Sequence, residues 1–402
     1  MNESGDIMLA NENWVLTWGQ SHSALSLFHY PSAKKTYRLV IDSAISGKSV
    51  RVYLSNRFGS GNVSVGKVTA ALCNEEGTVY SDFREITFSG KSSFVIKKGE
   101  KLQSDPADID VKAGYHFCIS VFVEKGDLAS GNLLDNVLLV TANGDKTQTK
   151  NVPNERRTRD GIIDKASDIL GMHFPRPIPL FDSVELLNCD NASAIVVFGD
   201  SISQQGFWVN PFEQRIREKF PGRYSVINRS VMGNRLLRDC SPFFVAKGLY
   251  GKKASTRIAE DVYPYENISH VILFMGINDI CQYGSLDAPT DGKPDLSDMA
   301  DTVKQFADEI HKKGSRFIFF DVLGFGAANQ ATDEKNALRK EFNNMMRNNR
   351  ELFDGFYDIA KVGEDPENDN CTRAEFVGAD KLHPNANGGK YFADNIDLSW
   401  FE

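Results

Sequence analysis

Val50-Arg51-Val52-Tyr53-Leu54-Ser55 alternates apolar and polar side chains, the period of a strand with one buried face and one wet face. Short runs rich in Val, Ile, Tyr and Phe recur over 35–41, 49–54, 62–72, 94–96 and 115–123, punctuated by Gly, Asn, Asp and Ser. That punctuation predicts antiparallel strands, so the first part of the chain reads as a β-sandwich of about a hundred and fifty residues or more. A charged stretch over 154–160 then runs into the proline-rich 175–179, and 151–179 reads as a solvated loop. Arg156, Arg157 and Arg159 in it are read as facing water rather than as an anion site.

From about Ala192 the period changes. Residues 194–198 form a continuous apolar run, the kind buried on both faces of a parallel sheet. Runs over 224–227, 270–275 and 316–322 predict further strands. Asn210 followed by Pro211 predicts a helix start, with the helix continuing to about Lys219. Met299, Val303, Phe306 and Ile310 fall on one helical face over 298–313, with Ser297 as its cap and Gly314 as its stop. Two more helices are expected, over 333–349 and after Asn387. Strands alternating with helices imply a parallel sheet covered on both faces, whose ligands bind at the carboxyl ends of the strands. The two patterns divide the chain into a β-sandwich with a loop-rich linker over 1–188 and an α/β domain over 189–402.

The bulk numbers narrow the partners. A chain of 402 residues exceeds the usual single core, in line with two domains. A net charge of -8 with no opposing Lys/Arg cluster argues against nucleic acid. No apolar run reaches the roughly 18 residues of a membrane helix, so no membrane partner is expected. Acids stand where an export leader carries Lys or Arg, which places the chain in the cytoplasm, or outside the cell if a leader was removed. The six cysteines are scattered without a C-x-x-C pair, as suits free thiols in a reducing compartment. Two acidic loops, Asp287 to Asp298 and Asp365 to Asp369, lack the glycine and terminal glutamate of a calcium loop, and no metal is expected.

The residues just past the strands carry the candidate chemistry. After the first comes Gly199-Asp200-Ser201, which sets a hydroxyl and a backbone N–H at the sheet edge. After the second comes a turn through Gly233, where the missing side chain lets a backbone N–H approach a ligand. After the third comes Gly276-Ile277-Asn278-Asp279, with a carboxamide donor. Near the C-terminus, Asp380-Lys381-Leu382-His383-Pro384 spaces an acid to reach one ring nitrogen of the histidine while the other stays free to take a proton. Pro384 restricts the loop at His383.

These four segments, in this order, resemble the SGNH hydrolases, also called GDSL esterases. Gly-Asp-Ser-Ile replaces the family's leucine with another apolar residue, and the G-x-S-x-G elbow of the α/β-hydrolases is absent. Thr17-Trp18, Val50 to Gly59 and Leu102 to Pro106 are similar to the N-terminal β-domain of bacterial two-domain SGNH esterases. The resemblance implies a flavodoxin-like parallel sheet behind an N-terminal β-sandwich. It implies Ser201 as nucleophile, His383 as base, Asp380 as its orienting acid, and the N–H of Ser201 with Gly233 and Asn278 as the oxyanion hole. No cofactor is implied. Asp200, Trp208 and Asn234 are the candidate substrate contacts, with Phe207 beside them. The expected reaction removes a small acyl group, acetyl foremost, from a carbohydrate or similar alcohol. A lysophospholipase or thioesterase on the same scaffold is the alternative, and an inactive glycan-binding protein a third reading. The segment 238–257 is read as a lid or a partner surface, in keeping with a possible homo-oligomer.

Overall fold

The computed structural model describes residues 13–25, 31–134, 137–153, 176–188, 190–244 and 246–402. The period-two runs pair as antiparallel strands. One sheet runs Leu138–Asn143, Pro31–Asp42, His116–Asp127, Val63–Cys73, Arg84–Glu85, with Phe94–Ile96 also on Val63–Cys73. Another runs Trp14–Gly19, Phe181–Leu187, Gly47–Ser55, Lys101–Gln103, with Ala107–Val111 also on Gly47–Ser55. Leu39, Ile41, Phe117 and Ile119 of the first share a buried core with Val50, Val52, Leu54 and Val184 of the second, which makes the pair a sandwich.

Several strands lie outside the expected runs, among them Trp14–Gly19, Ala107–Val111, Ser130–Leu134, Leu138–Asn143, Arg176–Pro179 and Phe181–Leu187. Arg176–Pro179 lies in the stretch read as loop, yet it pairs antiparallel with Ser130–Leu134 at the edge of a small three-stranded sheet. An edge position tolerates proline because one side of the strand needs no N–H donors. Phe181–Leu187 carries Asp182, Ser183 and Glu185, all buried, which hides its strand pattern. The arginine stretch over 154–160 and Cys189 lie outside the described residues. Cys73, Cys118, Cys240, Cys281 and Cys371 are free thiols.

The second half holds a five-stranded parallel sheet. Its strands are β1 (Ser193–Gly199), β2 (Tyr224–Asn228), β3 (Ile268–Phe274), β4 (Arg316–Phe320) and β5 (Gly355–Tyr357), in spatial order β2-β1-β3-β4-β5. This is the flavodoxin order, whose switch point falls between β1 and β3. β5, three residues long, is too short to announce itself by periodicity. Helices cover both faces. Phe198 of β1 meets Phe306 of the helix Leu296–Lys312, and Phe319 of β4 meets Phe342 of Asp333–Asn348. One residue further along the strands, Phe274 and Phe320 point the other way and pack on Trp208.

Helix starts differ from expectation in three places, the last helix, Ala386–Asp394, opening ahead of Asn387 under an Asn385 cap. Val209–Lys219 begins at Trp208, with Pro211 inside the first turn, where a missing N–H loses no intrahelical bond. Asp295, not Ser297, caps Leu296–Lys312 by accepting from the Ser297 N–H at 2.8 Å. Among the described residues no helix is long and apolar enough to cross a membrane. The buried core continues from the sandwich into the parallel sheet, and Asn267 donates to the Trp14 carbonyl at 3.0 Å.

Candidate active site

Because β1 lies between β2 and β3, the residues trailing these three strands meet at one edge of the sheet. Ser201 opens the short helix α1 (Ser201–Gln204), capped by Asp200, whose carboxylate accepts from the Ile202 N–H at 3.0 Å. The Ser201 hydroxyl lies 2.8 Å from His383 Nε2. His383 Nδ1 lies 2.6 Å from Asp380 Oδ2, while Asp380 Oδ1 accepts from the N–H groups of Leu382 at 3.0 Å and His383 at 3.1 Å. Burial raises the Asp380 carboxyl, but its bonds to His383 and to these backbone donors prevail and hold it at about 2. It is therefore a carboxylate at any working pH, and it fixes the imidazole proton on Nδ1. Nε2 is left to accept from the serine.

Gly233 follows β2 with φ +64°, and a Cβ there would stand 2.3 Å from the Tyr250 ring. Asn278 sits on α2 (Ile277–Gln282), directly after β3. Its Nδ2 donates to the Asn234 carbonyl at 3.1 Å and its Oδ1 accepts from Gln282 at 3.1 Å. Ser201, Gly233, Asn278, Asp380 and His383 all line one cavity of about 320 Å³. A hydroxyl bonded to a carboxylate-oriented imidazole, beside N–H donors, can add to a carbonyl and stabilise the resulting oxyanion.

The three candidate substrate contacts fall elsewhere. Trp208 is fully buried among Phe212, Phe274 and Phe320, with its indole N–H on Ser203, so it is core. Asn234 is buried and uses its carboxamide to bind the Tyr250 and Lys252 carbonyls and to accept from Arg257, so it anchors the chain over 250–252. Asp200 is a buried helix cap. Phe207 is not among the cavity's lining residues.

Several residues that shape the site were not anticipated. Asp279 accepts from the N–H groups of Leu236 and Leu237 at 2.8 and 3.0 Å, which ties the β2 loop to α2. Buried Arg257 donates to the Gly199 carbonyl at 2.8 Å and to Ser21 of the sandwich at 3.1 Å. Asn132, also from the sandwich, bonds Gln204 at 2.6 Å on the cavity wall. Tyr250, from the segment considered as a lid, lines the cavity and stacks on Phe244. Ala246 and Leu249 of that segment pack with Leu25 and Leu133, which seats it on the sandwich. Of the acidic loop residues, Asp291 pairs with Arg235 at 2.6 Å and Asp287 lines the cavity.

Burial pushes Asp200 from its ordinary 3.8 to about 7, against the N–H of Ile202 and the attraction of His383. Folded chains thus hold a proton that unfolded chains release, so unfolding gains as pH rises from about 4 to about 7. Asn caps as well as Asp and does not titrate. Thermal melts should show the Tm of Asp200→Asn rising relative to the parent between pH 4.5 and 7.5, then levelling off. A gap that stays constant with pH would contradict the buried, proton-holding carboxyl.

Residues 197–391 match the model of the GDSL-like lipase/acylhydrolase family. No curated protein matches the chain by sequence. Solved structures similar to it include an acetyl xylan esterase from Geobacillus stearothermophilus, 17% identical, with 52% of this chain covered, 95% of the other and a TM-score of 0.40. A GDSL-like lipase from Bacteroides thetaiotaomicron is 15% identical, with 52% and 88% covered and a TM-score of 0.38. The match begins within β1 and takes in the turn through Ser201, the strands β2 to β5 and the loop through His383: the chain carries a GDSL-like lipase/acylhydrolase domain and is a carboxylic ester hydrolase of the SGNH type.

Proposed function

We propose that this hydrolase removes a short acyl group, acetyl foremost, from a neutral, hydroxyl-rich alcohol such as a sugar, through an acyl-enzyme on Ser201. In this reading His383 Nε2 takes the Ser201 proton as Oγ attacks the ester carbonyl. The oxyanion is held by Asn278 Nδ2, the Gly233 N–H and the Ser201 N–H, which as the first of its helix has no intrahelical acceptor. His383 then protonates the departing alkoxide, and water, activated by the same nitrogen, releases the acid.

The observation that carries the substrate class is the cavity wall. Beside Met232, Tyr250 and Leu382, its described lining residues include the carboxamides Gln204, Gln205, Asn329 and Gln330, with no Lys or Arg. A carboxamide both donates and accepts, which suits sugar hydroxyls. The carboxylates of Asp287 and Asp380 make the same wall repel the phosphate of a lysophospholipid or a coenzyme A thioester. A cavity of about 320 Å³ lies at the small end for ligand sites and favours short acyl chains.

The test is a comparison of kcat/KM on acetylated monosaccharides and oligosaccharides, p-nitrophenyl acetate, butyrate and octanoate, lysophosphatidylcholine and an acyl-coenzyme A. A fall of about tenfold or more from acetyl to the longer p-nitrophenyl esters is expected, the scale at which a pocket rejects surplus methylenes. Acetate release from the sugar esters should accompany it. Faster turnover of lysophosphatidylcholine or the thioester would replace this reading with the other. Failure of a fluorophosphonate to label Ser201 would point to an inactive glycan binder.

A further inference from the structure

Gln282 is buried at the end of α2, one helical turn past Asn278, so the two side chains share a helix face. Its Nε2 donates twice, to the Gly233 carbonyl at 2.8 Å and to Asn278 Oδ1 at 3.1 Å. We propose that Gln282 is a positioning residue that locks the two separate oxyanion donors, Gly233 and Asn278, into one frame. The inference rests on the reading of those two residues given above.

Each contact removes a specific freedom. Gly233 sits in a turn with φ +64°, and glycine is the residue least restrained by its own backbone. A bond from Gln282 to its carbonyl, next to an Asn234 side chain held by Arg257, Tyr250 and Lys252, fixes the peptide after Gly233. Asn278 presents a different problem, because a carboxamide turned by 180° exchanges a donor for an acceptor. In the turned state Oδ1 would face the oxyanion and repel it. Donation from Gln282 onto Oδ1 selects the other state, in which Nδ2 bonds the Asn234 carbonyl with one proton and keeps a second for the cavity. The Asn234 carbonyl alone favours the same state, so loss of Gln282 weakens the selection without reversing it.

Gln282 therefore acts on the transition state through other residues. With Gln282→Ala, kcat should fall about 10- to 50-fold, less than the roughly 10²–10³-fold expected for removing a donor outright in Asn278→Ala. KM for an acetyl ester should stay within about threefold, because the ground-state carbonyl makes little use of the hole. Rates are expressed per active site, counted by fluorophosphonate labelling of Ser201, so misfolded protein drops out of the comparison. In the double variant Gln282→Ala/Asn278→Ala, the added loss should be no more than about fivefold, as for residues that act as a unit.

Should Gln282→Ala fold poorly, Gln282→Glu keeps the side-chain shape, has no donor when ionised and should lose at least as much kcat per labelled site. A kcat per site within threefold of the parent in both single variants would overturn the proposal, and so would full additivity in the double variant. If Asn278→Ala itself keeps parental kcat, the oxyanion reading fails and this inference fails with it. If Asn278→Ala is impaired while the Gln282 variants are not, only the inference falls.

Discussion

Ser201→Ala is expected to abolish ester hydrolysis, with a loss on the order of 10⁶-fold in kcat, the scale for removing the nucleophile of a serine hydrolase. The reason is geometric. His383 Nε2 has one described partner, the Ser201 hydroxyl at 2.8 Å, and its other nitrogen is committed to Asp380 at 2.6 Å. With Oγ gone, the imidazole can activate only a water that nothing holds in line with the carbonyl, and the acyl-enzyme cannot form. Serine to alanine removes one atom from a small, mostly buried residue, so the melting curve should change little. Release of p-nitrophenol from p-nitrophenyl acetate measures the loss. Activity above about one per cent of the parent in a folded, purified variant would move the nucleophile elsewhere, since the residual catalysis of a disabled triad lies far lower.

How much of this was legible in the chain depended on whether a signal was local. Ser201, Gly233 and Asn278 each follow an apolar run that reads as a buried strand, and the switch-point rule then gathers them. Asp380 and His383 are three residues apart, within reach of one loop. The residues without a local signal act over long sequence separations or through backbone groups. Gln282 is an ordinary polar residue on a short helix until its bond to the Gly233 carbonyl is seen. Trp208 was a candidate contact because it follows the nucleophile closely, but the faces of β3 and β4 draw it into the core.

The strand Phe181–Leu187 was invisible for a related reason. Its polar residues are buried in a network rather than facing water. Asp182 lies within 3.5 Å of Lys101 and 3.6 Å of Arg229, and Ser183 shares a bond of 2.6 Å with Tyr265. A period-two reading takes such residues for a wet face or a loop. The same network is where the sandwich meets the catalytic half: Arg229 follows β2 and also binds the Gln20 carbonyl. Through Ser21 to Arg257 to Gly199, and through Asn132 to Gln204, the sandwich supports the turn that carries the nucleophile. Its closeness to the site lies in these contacts, which no local motif records.

Asp380→Asn is expected to be worse than Asp380→Ala, with a loss of about 10⁴-fold in kcat, comparable to the same change in a serine protease triad. The ordering follows from the two oxygens. Oδ1 is held by two backbone N–H donors, from Leu382 and His383, at 3.0 and 3.1 Å. An asparagine here keeps its carbonyl oxygen on those donors and so turns its NH₂ toward His383 Nδ1. The imidazole can meet that donor only with a bare Nδ1, which moves its proton to Nε2 and leaves nothing to accept from Ser201. Turning the amide the other way would set an NH₂ against two backbone N–H groups, so the orientation is enforced locally. Alanine removes the acid but imposes no tautomer: water can accept from Nδ1–H, and the base survives in weakened form. Initial rates on p-nitrophenyl acetate, normalised to folded protein measured from the thermal melt, decide the order. Equal losses in the two variants would show that orientation of the ring, rather than placement of its proton, is what Asp380 contributes.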